Sequence, residues 1–121
     1  MKRVLNFGDV ISVRLPTNSP QGHEQEGFRP AIVVGVPGNF TQPRFPLVFI
    51  VPMTSDHAQP WILAAPELYL RLPAGSGGLR SASVVLMDQL RSLDIDRIVN
   101  FKGSLSTDEA DWLQRVIKQI F

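Results

Sequence analysis

The spacing of apolar residues changes period once along this chain, and that change restricts the fold more than any other feature of the sequence. From Val10 to Phe101 the apolar residues alternate or run in short β-branched blocks, which is the pattern of strands. After Ser106 they recur three and four apart, at Ala110, Leu113, Val116, Ile117 and Ile120, the spacing of one helix face. Ser106 followed by Glu109 has the form of a capping box, so a helix is predicted over Ser106 to Ile120. Short strands followed by one terminal helix make an α+β chain, not a βαβ fold. The expected architecture is a small antiparallel β-barrel, or a strongly bent antiparallel sheet, with a C-terminal α-helix, forming a single domain over residues 1–121.

Individual strands follow from the same pattern. Val10 to Leu15 alternates, with Ile11, Val13 and Leu15 inward and Val10, Ser12 and Arg14 outward. Ala31 to Val36 and Leu47 to Val51 are continuous apolar runs, predicted to be buried on both faces. The second is expected to end at Pro52, which lacks the N–H a sheet interior uses. Glu67 to Leu72 alternates with Leu68, Leu70 and Leu72 inward, and two shorter strands are predicted near Ser83 to Met87 and Arg97 to Phe101. Pro16 to Gly27 has no periodicity and reads as a long surface loop, a length that is often functional. Gly75-Ser76-Gly77-Gly78 is followed by Leu79-Arg80 and not by Lys-Ser/Thr, so it reads as a mobile connector and not a phosphate loop.

Composition narrows the chemistry. The chain has no cysteine and two histidines, which removes a disulfide framework, cysteine zinc sites and a thiol nucleophile. Catalysis by such a chain is expected to need neither metal nor other cofactor. A net charge of +1 excludes a histone-like binder that attracts phosphate by its overall field, so any nucleic-acid activity belongs to a local site. Nine of the twelve basic residues are arginine, whose planar fork suits bidentate phosphate contacts. The longest apolar stretch, Leu47 to Met53, is far short of the ~20 residues that span a bilayer, and a cytoplasmic protein without a membrane partner is expected.

Several residues stand where chemistry can be done. Arg29 precedes Pro30 at the exit of the long loop, where the extended chain anchors its guanidinium near a strand end and suits an anion site. Thr54 and Ser55 follow a strand, with hydroxyls that either bind a phosphate or close a turn. His23 in the loop is either an acid–base group or an exposed side chain without a role. Asp88, Gln89 and Arg91 follow an apolar run and form either a polar site or a hydrogen-bonded corner that tethers neighbouring loops. Asp94 and Asp96 point to water more readily than to catalysis.

Four segments in this order, Gly8-Asp9-Val10-Ile11, Gly22 to Val34 with its Gly-His-Glu-Gln and Arg-Pro pairs, Val51-Pro52-Met53-Thr54-Ser55 and Asp88 to Asp94, resemble the MazF/PemK toxins over nearly the whole chain. The resemblance implies a barrel of the Src-homology-three-like, plasmid maintenance toxin type and a homodimer. It also implies a sequence-selective, metal-independent endoribonuclease acting on single-stranded RNA, neutralised by a cognate antitoxin with a partly disordered segment. In such toxins the arginine before the proline and the threonine of the Pro-x-Thr-Ser turn act on the scissile phosphate, which carries over to Arg29 and Thr54. His23 and Glu24 match the loop and are the candidates for proton transfer, Glu24 alternatively orienting Arg29. Gln25, Ser55, Asp88, Gln89 and Arg91 are the expected RNA contacts. One branch of the family pairs an aspartate at the position of Asp88 with an arginine two residues earlier; here that residue is Leu86, which leaves Asp88 a structural candidate.

Two other readings compete. One is a barrel of the same fold that holds RNA or a peptide without cutting it, against which the joint presence of Arg29 and Thr54 argues. The other is a gyrase poison of the CcdB type, which acts through a tryptophan-bearing C-terminal end; here Trp112 falls inside the helix pattern and the chain ends Gln119-Ile120-Phe121.

Overall fold

The computed structural model describes residues 4–17, 22–23 and 25–121. The strands are β1 (Asp9–Leu15), β2 (Gly27–Gly35), β3 (Leu47–Ser55), β4 (Tyr69–Leu72), β5 (Ser83–Leu86), β6 (Arg91–Asp94) and β7 (Ile98–Ser104). They form one antiparallel sheet in the order β4-β5-β3-β2-β1-β7, with β6 also pairing on β3. With the C-terminal helix α3 (Thr107–Ile120) this is the α+β architecture the period change implied.

β3 organises the sheet. One edge pairs with β2, and the other is divided, Leu47 to Ile50 facing β6 and Met53 to Ser55 facing β5. Pro52 therefore does not end the strand, contrary to expectation. It lies between the two divided partners, where β3 has a neighbour on one side only and a missing N–H is tolerated.

Alternation divides most of the buried residues into two clusters, and Ile62, Val84 and Leu86 form a smaller third beside Tyr69. Ile11, Val13 and Leu15 join Ala31, Val33, Val48, Ile50, Leu93 and Ile98 on one face. Val10, Ile32, Val51 and Met53 join Leu70, Leu72, Leu79, Val85, Met87 and Leu113 on the other. Val10 was expected to face outward; it is fully buried because α3 and the β4–β5 pair cover that face. The helix begins where the sequence indicated. Ser106 accepts from the Glu109 N–H, and the Glu109 carboxylate accepts from the Ser106 N–H. Its Leu113 is buried, with Val116 and Ile117 packed beside it.

Two short helices escaped the sequence pattern, α1 (Pro37–Phe40) and α2 (Pro60–Ala64). Both carry proline at the first helical position, where the missing N–H costs nothing, and each is too short to show a period. β6 escaped because only Leu93 of its four residues is buried.

The glycine segment is not a loose connector. Ser76–Gly78 form a 3-10 turn against β7, with Gly77 buried and the Ser76 hydroxyl donating to Glu109 at 2.7 Å. A Cβ on Gly77 would overlap Val10, and one on Gly78 would overlap the Lys102 carbonyl oxygen. A Cβ on Gly103 would lie 2.8 Å from the Gly77 carbonyl. The turn after β4, at one end of the sheet, thus meets β7 at the other through three glycines, without ladder hydrogen bonds.

Candidate functional site

The site is built by register. β1 and β2 pair Val13 with Arg29, Arg14 with Phe28 and Ser12 with Pro30. β2 and β3 pair Ala31 with Pro52, and the same register continued past its last pair sets Thr54 opposite Arg29. Side chains on a strand alternate between faces. Arg29 and Thr54 therefore turn to one side, and Ser12, Phe28, Pro30, Met53 and Ser55 to the other. Two residues 25 positions apart in sequence come to line one groove because β2 and β3 form an antiparallel pair.

Arg29, Thr54 and Ser55 line one groove of about 430 Å³ with Arg80, Lys102 and Asn100. Its lining holds three cations, several hydroxyls and no carboxylate. The Arg29 Nε is buried and has no hydrogen-bond partner in the protein. A buried donor left unspent costs on the order of 1–3 kcal/mol, so the site is poised for an external acceptor. Thr54 is half-buried, opposite Val84 of β5. The turn that follows takes its side-chain acceptors from Asp56, which accepts from the Ala58 N–H at 2.9 Å and pairs with Arg71 at 2.7 Å, and from Gln59, whose Oε1 accepts from the His57 N–H at 2.8 Å. That turn is closed without the hydroxyl of Thr54 or Ser55. The Arg71 guanidinium holds the Asp56 carboxyl below its ordinary range, with the Ala58 amide acting in the same direction.

The other predicted residues divide into two groups. Gln89 donates through Nε2 to the His23 carbonyl at 3.2 Å and accepts at Oε1 from the Gln25 N–H at 2.7 Å. One carboxamide thus fastens the long loop to the corner after β5, the tethering role that the sequence left open. The Gln25 Oε1 is buried and unpartnered, while the His23 residue is exposed. Glu24 lies outside the described residues. Asp88 is exposed and accepts from the Tyr69 hydroxyl at 2.7 Å, and Tyr69 meets Trp61 edge to face at 5.0 Å. Arg91 sits in β6 opposite Ile50. His23, Gln25, Asp88, Gln89 and Arg91 do not line the groove.

The hydrogen bond to Asp88 raises the Tyr69 pKa, and burial acts in the same direction. Among the described residues no group of three or more His, Asp or Glu side chains comes together to hold a metal, and no helix is long and apolar enough to cross a membrane.

Sequence reasoning missed Arg80, Lys102, Phe28 and Tyr69. Arg80 and Lys102 carry no local signal, because the glycine turn and β7 bring them to the groove. Phe28 did carry one, as a bulky apolar residue in a polar loop directly before Arg29.

A family model described as PemK-like, MazF-like toxin of type II toxin-antitoxin system matches residues 6–121. Among solved structures, MazF (Form-I) from Deinococcus radiodurans is similar with a TM-score of 0.73 and 24% identity, over 98% of this chain and 97% of that one. At that identity the likeness is one of fold. No curated protein matches the chain significantly.

Proposed function

Since the chain belongs to the PemK-like, MazF-like toxins of type II toxin–antitoxin systems, we propose that it is a metal-independent, sequence-selective endoribonuclease acting on single-stranded RNA. The observation that carries this reading is that Arg29, its Nε unpartnered, and Thr54 line one cationic groove.

The substrate supplies its own nucleophile. The ribose 2′-oxygen bonds to phosphorus and gives up its proton, the bond from phosphorus to the 5′-oxygen breaks, and that oxygen takes a proton. The products are a 2′,3′-cyclic phosphate and a 5′-hydroxyl. Negative charge builds on the phosphorane oxygens, where the Arg29 guanidinium meets it and the Thr54 hydroxyl donates a hydrogen bond. His23, whose backbone is tied to Gln89, and Glu24 are the groups for proton transfer. Gln25 and Ser55 contact the strand directly, and Gln89 acts on it by holding the loop. Asp88 and Arg91 belong to the same reading as flanking contacts. A homodimer, a cytoplasmic location and neutralisation by an antitoxin whose disordered segment orders over the groove complete it.

The test is cleavage of single-stranded RNA in EDTA with both product ends mapped. Arg29→Ala is expected to lower the rate by about 10²-fold or more, the scale for losing one preorganised donor. Cleavage only with a divalent ion overturns the mechanism. RNA binding without cleavage favours the non-cutting barrel, and inhibition of DNA supercoiling favours the gyrase poison. That last reading has little to stand on, because Trp112 lies within α3 and not at the chain end.

A further inference from the structure

The proposed reaction uses Arg29 and Thr54 on one side of the sheet and, apart from Ser55, leaves the groove residues on the opposite side of the same strand ends unassigned. On that side Phe28 is 61% exposed. The Arg14 guanidinium lies 4.5 Å from the centre of its ring, so a cation covers one face of a ring that is otherwise largely exposed. Phe28 lines the groove with Arg80 and Lys102, which come from the glycine turn and from β7. Ser12, Ser55 and Asn100 add polar groups, and no carboxylate offsets the charge.

We infer that this side of the groove holds the single strand beyond the scissile phosphate, with Phe28 as a stacking shelf for one nucleobase and Arg80 and Lys102 as contacts to the flanking phosphates. The inference rests on the ribonuclease reading and adds positioning residues to it. An open aromatic face beside cations matches what a single-stranded nucleotide presents, a π-surface joined to an anion, and stacking of this kind tolerates any base. Arg14 behind the ring strengthens the shelf by a cation–π contact. An acidic peptide would use the cations and leave the exposed ring without a partner. The groove is continuous with Arg29 and Thr54, so a strand held at the scissile phosphate reaches Phe28 by crossing the end of β2.

The probe is a fully 2′-O-methylated single-stranded RNA, which lacks the nucleophile, so binding is read apart from cleavage. By fluorescence anisotropy Phe28→Ala is expected to weaken binding about 5- to 150-fold, the range for one lost base stack, while Phe28→Trp retains it. Replacing both cations, Arg80→Gln with Lys102→Gln, is expected to lower the slope of log affinity against log salt by about 1.4, since each phosphate contact on a single strand contributes about 0.7. Arg97→Gln, outside the groove, serves as the charge control. If the wild type cleaves RNA while these variants bind the probe as it does, the inference fails and the ribonuclease reading stands. If the variants weaken binding but the wild type cuts no RNA, the reading fails and the groove remains an RNA surface. If polyglutamate competes for the two cations and Phe28→Ala binds RNA normally, the groove is a site for acidic peptide and the inference is overturned.

Discussion

Gly78→Ala tests whether three glycines hold the two ends of the sheet together. Gly78 has a φ of +78°, and an added Cβ would overlap the Lys102 carbonyl oxygen, a backbone atom that no rotamer change can move. The left-handed conformation costs a non-glycine residue about 1–2 kcal/mol, and overpacking adds about 1–3 kcal/mol, so the loss is about 2–5 kcal/mol. Against a urea slope of about 2 kcal/mol per molar, the middle of the usual range, the unfolding midpoint should fall by about 1–2.5 M. Gly75→Ala separates the two costs. Its φ is +97° but nothing lies within 4 Å of the new Cβ, so only the backbone cost of about 1–2 kcal/mol applies. Gly38 has neither a positive φ nor a neighbour, and Gly38→Ala in α1 should be neutral or slightly stabilising. Urea titrations followed by circular dichroism on the three variants give the comparison. If Gly78→Ala costs no more than Gly75→Ala, the contact between the glycine turn and β7 does not hold the sheet ends.

Tyr69 is the only tyrosine, so an alkaline titration followed by near-ultraviolet absorbance reads it alone. Its midpoint should lie above the ordinary tyrosine value and fall toward it in Asp88→Asn, because the hydrogen bond to Asp88 is the main cause of the upward shift. A raised folded pKa means the stabilising contribution is complete below the ordinary tyrosine range and is lost as pH rises through the raised value; a midpoint that does not respond to Asp88→Asn refutes the contact. Leu113→Ala should cost about 2–5 kcal/mol by cavity formation, since Leu113 is the one fully buried side chain of α3; a loss under about 1 kcal/mol in the same urea assay would mean that the helix docks by other contacts.

What the sequence disclosed and what it withheld divide by range. The helix and its cap were readable because Ser106, Glu109 and the three–four spacing are local. The inward face of β1 was readable from alternation alone, but the burial of Val10 depended on α3, which lies about a hundred residues further on. Arg29 and Thr54 were singled out separately at two strand ends, and the resemblance joined them in one role. Their proximity is a matter of register, which no spacing rule supplies. Gln89 was left between a tether and a ligand contact, and its two hydrogen bonds to the loop backbone make it the tether. Arg80 and Lys102 stayed hidden because turn and strand pairing, not sequence, bring them together. Pro52 misled because the rule against proline inside a sheet assumes neighbours on both edges, and β3 has one there.

The pairing of β1 with β7 has a consequence for the order in which this protein is made. The hairpins β1–β2 and β2–β3 can close as soon as they leave the ribosome, but the free edge of β1 stays open until Ser104 is available to meet Asp9, whose carboxylate accepts from the Ser104 hydroxyl at 2.8 Å. Asn100 and Lys102 reach the groove only with that last strand. A chain stalled before β7 therefore carries Arg29 and Thr54 on a sheet with an exposed edge and an unfinished groove. The groove and the sheet edge are completed by the same late event, when β7 covers the edge that would otherwise recruit another chain.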